Sequence, residues 1–194
     1  MAAARYEAAV AAIDAANADD PETLVVDGVE RPKEHAHSEL MEAWVRRLDP
    51  DATEAQLLAA RAAHLRRWSI PRASFPEGRS GYLRWRTTLR KQHAAEVAEI
   101  LAAAGYDDGT SKQVSAIVAK TGLGSDPAVQ THEDALCLVF LQTQLGPTAE
   151  RLGHDKAVDV LAKTARKMSP RALELAGQME LPPEQRRLLG RALS

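Results

Sequence analysis

The sequence predicts an all-α fold, a single-domain helical bundle over residues 1–194 interrupted by at most one short β-hairpin near residues 23–31. Three observations predict it. Apolar residues recur every three or four positions through most of the chain, the period of a helix with one buried face. Proline, glycine and aspartate fall in tight groups (DDP, LDP, GYDDG, GSDP, LGP, MSP, LPP), so the periodic stretches end abruptly and are joined by short connections. Short connections imply helices packed side by side in one core.

The first helix is expected from about Arg5 to Asn17, an alanine-rich stretch with Tyr6, Val10 and Ile13 at helical spacing; ADDPET ends it. LVVDGVERP holds a valine pair and an Asp-Gly turn, and both a small hairpin and an irregular crossing remain open. Pro32 suits the first turn of a second helix, whose apolar face is Leu40, Met41, Trp44, Val45 and Leu48. A third helix should run from about Thr53 to Trp68, with Leu57, Leu58, Ala62, Leu65 and Trp68 apolar. IPRASFPEGRSG, with its paired prolines and glycines, reads as the longest loop. A fourth helix spans roughly Tyr82 to Ala104 and stops at Gly105, a suitable left-handed cap. A fifth, around Ser111 to Thr121, buries Val114, Ile117 and Val118. A sixth runs from Asp126-Pro127 to about Leu145, hydrophobic on nearly every side and therefore central, until Gly146-Pro147 breaks it. The core should cover about residues 4–168, and shorter helices follow over residues 170–194.

Composition narrows the class of function. With 45% hydrophobic and 27% charged residues, the chain is expected to fold throughout. No window approaches the roughly 18 to 20 apolar residues of a membrane span, and the first residues lack the pattern of a secretory leader, which predicts a cytoplasmic protein without a membrane partner. The single cysteine, Cys137, excludes an internal disulfide and a multi-cysteine zinc site; within ALCLVFL it reads as a buried, inert thiol. The net charge of -2 is unevenly spread. Residues 61–91 hold nine basic side chains against Glu77 alone, a local +8 that leaves -10 for the rest. Such a split favours a local anionic partner over a positive coat for long nucleic acid.

Several side chains are candidates for chemistry. His64 lies on a face that also carries large apolar groups and should point at least partly inward, as a satisfied core histidine, a metal ligand or a general base. Glu34 and His37 stand three apart on one helix and could converge on a ligand, although an acid in a first helical turn is also favoured by the helix dipole. Gln130, Glu133 and Asp134 cluster in the first half of the apolar sixth helix, where buried carboxylates demand an arginine, a metal or water. His93, mid-helix, reads equally as an exposed residue, a core residue or a further ligand. HLRRWSIPRASFPEGRSGYLRWRTTLRKQH alternates arginines with aromatics: Arg66, Arg67, Arg72 and Arg86 are the leading anion contacts, and Trp68 and Trp85 an aromatic wall. The alternative is a solvated basic face. Phosphate-binding loop, dinucleotide fingerprint, nucleophile elbow and H-E-x-x-H motifs are all missing.

ARAAHLRRWSIPR, GYLRWRTTL, THEDALCLVFL and TARKMS together resemble the family called domain of unknown function 4202, with the similarity spanning nearly the whole chain. Some fungal members carry a glutamyl-tRNA-synthetase-related label, but neither a nucleotide-binding sheet nor aminoacylation motifs are legible here. The resemblance implies a characteristic set of Glu34, His64, Arg66, Arg67, Trp68, Pro71, Arg72, Gln130, Glu133 and Asp134, and leaves out His35 and His37. A more distant likeness is to the helical HD superfamily of metal-dependent phosphohydrolases. That likeness implies matching positions at Glu34 or His37, at His64 and at Asp134; the carboxylate expected beside the histidine is replaced by Leu65, so Glu34, His93 or Glu133 would have to supply the missing ligand.

The combined expectation is an HD-like helical protein with a divalent metal at Glu34, His64, Glu133 and Asp134, facing an arginine wall that binds a small anionic or phosphorylated compound. Hydrolysis is the most economical reaction there. A non-catalytic nucleotide- or RNA-binding module and a protein-interaction scaffold are the alternatives.

Overall fold

The computed structural model describes residues 2–193 and divides into two compact units, Met1–His132 and Glu133–Ser194. Helices dominate both, as predicted. The first unit holds α1 (Ala2–Asn17), β1 (Thr23–Val26), β2 (Val29–Pro32), α2 (Lys33–Leu48), α3 (Glu54–Arg61), 3-10 turns at Arg67–Ser69 and Arg72–Ser74, α4 (Gly78–Ala103), α5 (Asp108–Val118) and the start of α6 (Pro127–Thr143). The hairpin alternative is the one realised: β1 and β2 pair antiparallel from Thr23↔Pro32 to Val26↔Val29. Asp27 and Gly28 form the connecting turn with φ of 52° and 78°. Two consecutive positive φ angles match the twist of a hairpin, and Asp-Gly tolerates them.

The core of this unit gathers Ala9 and Ile13 of α1, Leu58 and Ala59 of α3, Leu65 just beyond it, Val97 and Leu101 of α4, and Val114, Ile117 and Val118 of α5. Burying each of the larger side chains contributes about 1.5–3 kcal/mol. α2 packs on α1, α3 and the hairpin through a face that buries Met41, Trp44 and Val45. Capping is local and specific: Thr53 and Gln56 form a reciprocal capping box on α3, and the Asp107 carboxylate accepts from Thr110 N at the start of α5. Gly105 follows α4 with φ 80°, the left-handed conformation expected of it.

Three boundaries differ from expectation, each for a local reason. The third helix stops at Arg61 rather than Trp68, because Ala62–Arg66 turn and Arg66 adopts a left-handed φ of 47°. The Asn17 side chain accepts a hydrogen bond from Arg66 N at 3.0 Å, which the helical ladder would otherwise have used. α4 begins at Gly78, four residues before the expected Tyr82, because Gly81 lets the preceding loop pass close by: a Cβ there would lie 1.8 Å from the Pro76 carbonyl oxygen. Gly146-Pro147 does not merely end a helix but opens α7 (Leu145–Leu152). A proline in a first turn has no intrahelical N–H to lose.

In the second unit α8 (His154–Ala165) packs on α7 and on α10 (Pro183–Leu193), and α9 (Pro170–Gly177) is capped by Ser169, whose hydroxyl accepts from Ala172 N at 3.2 Å. Ala157, Leu161, Leu175, Leu188 and Leu189 are buried. Cys137 in α6 is buried, as its apolar surroundings in the sequence suggested. Among the described residues no helix is long and apolar enough to cross a membrane.

Candidate metal centre

Glu34 is the second residue of α2, and its placement is set by groups outside the helix. Pro32 offers no capping side chain, so the first turn is capped from a distance. One Asp20 carboxylate oxygen accepts from Glu34 N and the other from Glu22 N, each at 2.9 Å. Asn17, fully buried at the end of α1, donates through Nδ2 to the Glu34 carbonyl at 3.5 Å while its Oδ1 takes Arg66 N. One amide therefore ties the start of α2 to the turn that carries His64. One helical turn beyond Glu34, His37 projects from the same face and is only 3% exposed.

These restraints bring three side chains together. His64 Nδ1 lies 3.0 Å from Glu34 Oε2, and the rings of His64 and His37 stack at 4.0 Å with an interplanar angle of 18°. One ligand atom from each of Glu34, His37 and His64 falls within 4.8 Å of the others. Two donors sharing one ion, with bonds of about 2.0–2.2 Å, stand roughly 3 Å apart, so the Glu34–His64 spacing suits an ion as well as a hydrogen bond. Arg67 Nε lies 3.7 Å from Glu34 Oε1, and its guanidinium covers the Trp85 ring at 4.6 Å.

Burial governs the protonation of this cluster. It holds His37 and His64 well below the usual imidazole range, with the mutual repulsion of the two rings adding to the effect on His37 and Arg67 adding to that on His64. Burial likewise raises the Glu34 carboxyl, against the pull of His37 and Arg67. Neutral imidazoles are the form that ligates metals. His93 of α4 is pushed down to about 4, chiefly by burial; its Nδ1 lies 2.7 Å from the Leu65 carbonyl. His132, in the first turns of α6, is pushed down to about 3 by burial, with Lys120 and His37 contributing. His37 Nδ1, His93 Nε2 and His132 Nδ1 are buried and have no hydrogen-bond partner.

The family model described as Domain of unknown function (DUF4202) matches residues 7–189. The chain belongs to this family. No curated protein and no solved structure matches it, so the likeness to the HD superfamily rests on residue pattern alone.

Within this DUF4202 chain, the first unit brings part of the predicted set together. Glu34 and His64 meet, and they meet together with His37, which the family resemblance had left out. Glu133 and Asp134 belong to the second unit; Asp134 Oδ1 accepts from Ser169 N at 2.9 Å, and Glu133 Oε1 lies 3.7 Å from Lys167 Nζ. Of the arginines, Arg67 stands at the cluster. Arg66 is half-exposed, 3.8 Å from Glu96. Arg72 donates to the carbonyls of Phe75 and Pro76 at 2.9 Å each, bracing the 66–78 loop, and Arg86 donates to the Tyr82 hydroxyl at 2.9 Å. Trp68 and Trp85 line a cleft of about 430 Å³ that also holds Asp20, Lys33, Glu34 and Arg67. Trp85 is fixed there by its Nε1 donating to the Ile70 carbonyl at 2.8 Å.

Asn17, Asp20 and His132 escaped the sequence reading. The first two sit in ANADDP, which reads as a plain helix stop; that both bind backbone of distant elements has no local signal. His132 carried one, an imidazole within an otherwise apolar helix beside Glu133 and Asp134.

Proposed function

We propose that the cleft beside Glu34 binds a small phosphorylated compound, and that Glu34, His37 and His64 hold a divalent metal at its inner end for hydrolysis of that compound. The observation that carries this reading is the meeting of one carboxylate and two imidazoles, with Glu34 of that group also lining a cleft that presents Lys33 and Arg67. The donor set fits a metal, since His37 Nδ1 is buried without a partner, and leaving such a nitrogen unsatisfied costs about 1–3 kcal/mol. A divalent ion at such a site supplies Lewis acidity at neutral pH. The chain's own residues bind and orient. Asp20 and Asn17 fix the backbone of Glu34, and Asn17 also holds the turn that carries His64. Lys33, paired with Glu22, and Arg67, stacked on Trp85, bring positive charge to the cleft for the phosphoryl oxygens.

The test is metal analysis and phosphomonoester hydrolysis by the purified chain and by His64→Ala. About one ion per wild-type chain, its loss in the variant, and turnover abolished by a chelator are the expected results. Absence of metal from the wild-type chain after supplementation removes the hydrolase reading. Phosphate-ester binding that persists in a metal-free chain and weakens steeply with salt and with Arg67→Ala would instead support a non-catalytic nucleotide-binding module, a reading favoured by the Arg67–Trp85 stack.

A further inference from the structure

His93 lies outside the group of three but next to it. Its ring centroid is 6.2 Å from that of His64, with the planes tilted by 42°. Two imidazoles bound to one ion through bonds of about 2.0–2.1 Å place their ring centroids roughly 5 Å apart at the tetrahedral angle, and more than 6 Å apart as the angle opens. The His64–His93 spacing is about 1 Å longer than the tetrahedral value and the 4.0 Å stack of His64 on His37 about 1 Å shorter, so small ring movements in opposite senses bring all three to one ion.

The ring is also prepared for such a role. His93 is 98% buried, being 2% exposed, on the inner face of the long α4. Its Nδ1–H donates to the Leu65 carbonyl at 2.7 Å, which fixes the tautomer and the ring plane and leaves the lone pair on Nε2. Metal-binding histidines are held in this manner, one ring nitrogen on a backbone carbonyl and the other on the ion. Nε2 is buried and has no partner among the protein atoms. The carbonyl that holds it belongs to the residue after His64, so the turn that delivers one imidazole also orients the next.

We infer that His93, through Nε2, is a further ligand of the ion held by Glu34, His37 and His64, making a centre of three imidazoles and one carboxylate that takes a transition ion such as Zn²⁺ or Co²⁺ and rejects Mg²⁺. The inference rests on the metal reading above and deepens it. Three nitrogen donors and a single oxygen suit ions that bind imidazole, whereas Mg²⁺ requires oxygen ligands and keeps its waters.

The experiment strips the full-length chain with a chelator and titrates it with Zn²⁺ and Co²⁺ against a competing indicator, alongside His93→Gln. The expected result is one ion per wild-type chain, a ten- to hundredfold weaker affinity in the variant with a shifted Co²⁺ visible spectrum, and no competition from millimolar Mg²⁺. Equal affinity and an unchanged spectrum in His93→Gln would remove His93 while leaving the three-residue site intact. Failure of the wild-type chain to bind either ion would instead sink the metal reading itself. Effective competition by Mg²⁺ overturns the assignment of ion class. Should the variant fail to fold by circular dichroism, histidine ring ¹⁵N spectra of the wild-type chain decide: three imidazoles shifting on adding Zn²⁺ supports the inference, and two overturns it.

Discussion

Glu34 is where local sequence rules and tertiary structure part most clearly. An acid in a first helical turn is ordinarily a solvated partner of the helix dipole, yet here burial leaves the residue 4% exposed among His37, His64 and Arg67. Its carboxylate holds His64 at 3.0 Å and faces the Arg67 guanidinium, so Glu34→Gln should retain the fold and lower Zn²⁺ affinity at least a hundredfold, read by indicator competition. Undiminished affinity would exclude Glu34 as a ligand. Gly81 gives a second prediction at this scale. Replacing glycine with alanine inside a helix usually stabilises by about 0.5–1 kcal/mol, but a Cβ at Gly81 would meet the Pro76 carbonyl oxygen at 1.8 Å. Overpacking of that kind costs about 1–3 kcal/mol, so Gly81→Ala should lower the urea midpoint and loosen the loop that Arg72 and Trp85 brace. A gain in stability would mean that the loop moves aside freely.

Elements with strong periodicity were legible: α2 buries Met41, Trp44 and Val45, and α5 buries Val114, Ile117 and Val118, all expected from spacing. What was not legible are the points at which one element is ended or capped by another. Nothing near residue 66 in the sequence says that Asn17 will take its N–H and turn the chain, so the third helix reads as seven residues too long. The inward direction of His64 survived that error because Leu65 remains buried beside it. The start of α2 likewise looks uncapped in sequence and is capped by Asp20, fourteen residues upstream of Glu34. Losing an N-terminal cap costs about 0.5–2 kcal/mol. Asp20→Ala should therefore reduce stability by about 1–2 kcal/mol in urea and also weaken metal binding, because the freed first turn carries Glu34. Loss of stability with unchanged affinity would show that the Glu34 side chain is held by its neighbours and not by the cap.

At the scale of the molecule the most consequential feature is a set of imidazoles, the buried His37, His93 and His132 and the partly buried His64, whose pKa values all lie below the 6.5 of an exposed histidine. The unfolded chain takes up protons at these positions as pH falls through 6.5, while the folded chain does not until about 4 at His93 and about 3 at His132. Across that window the unfolded state binds more protons, so stability falls with falling pH, by up to about 1.4 kcal/mol per pH unit for each such group. Glu34 acts in the opposite sense: its raised carboxyl keeps a proton above 4.5 that the unfolded chain releases, so its contribution declines as pH rises there. One carboxyl opposes four imidazoles, and the imidazoles win. At that limiting slope the four imidazoles together approach about 5–6 kcal/mol per pH unit, against typical stabilities of about 5–15 kcal/mol, so the metal-free chain should lose much of its urea resistance between pH 6.5 and 5. His93→Gln removes one titrating group and should make the urea midpoint fall less steeply over the same range. A midpoint that stays flat from pH 7 to pH 5 would mean that these rings accept protons in place, and that their surroundings admit more water than their burial implies.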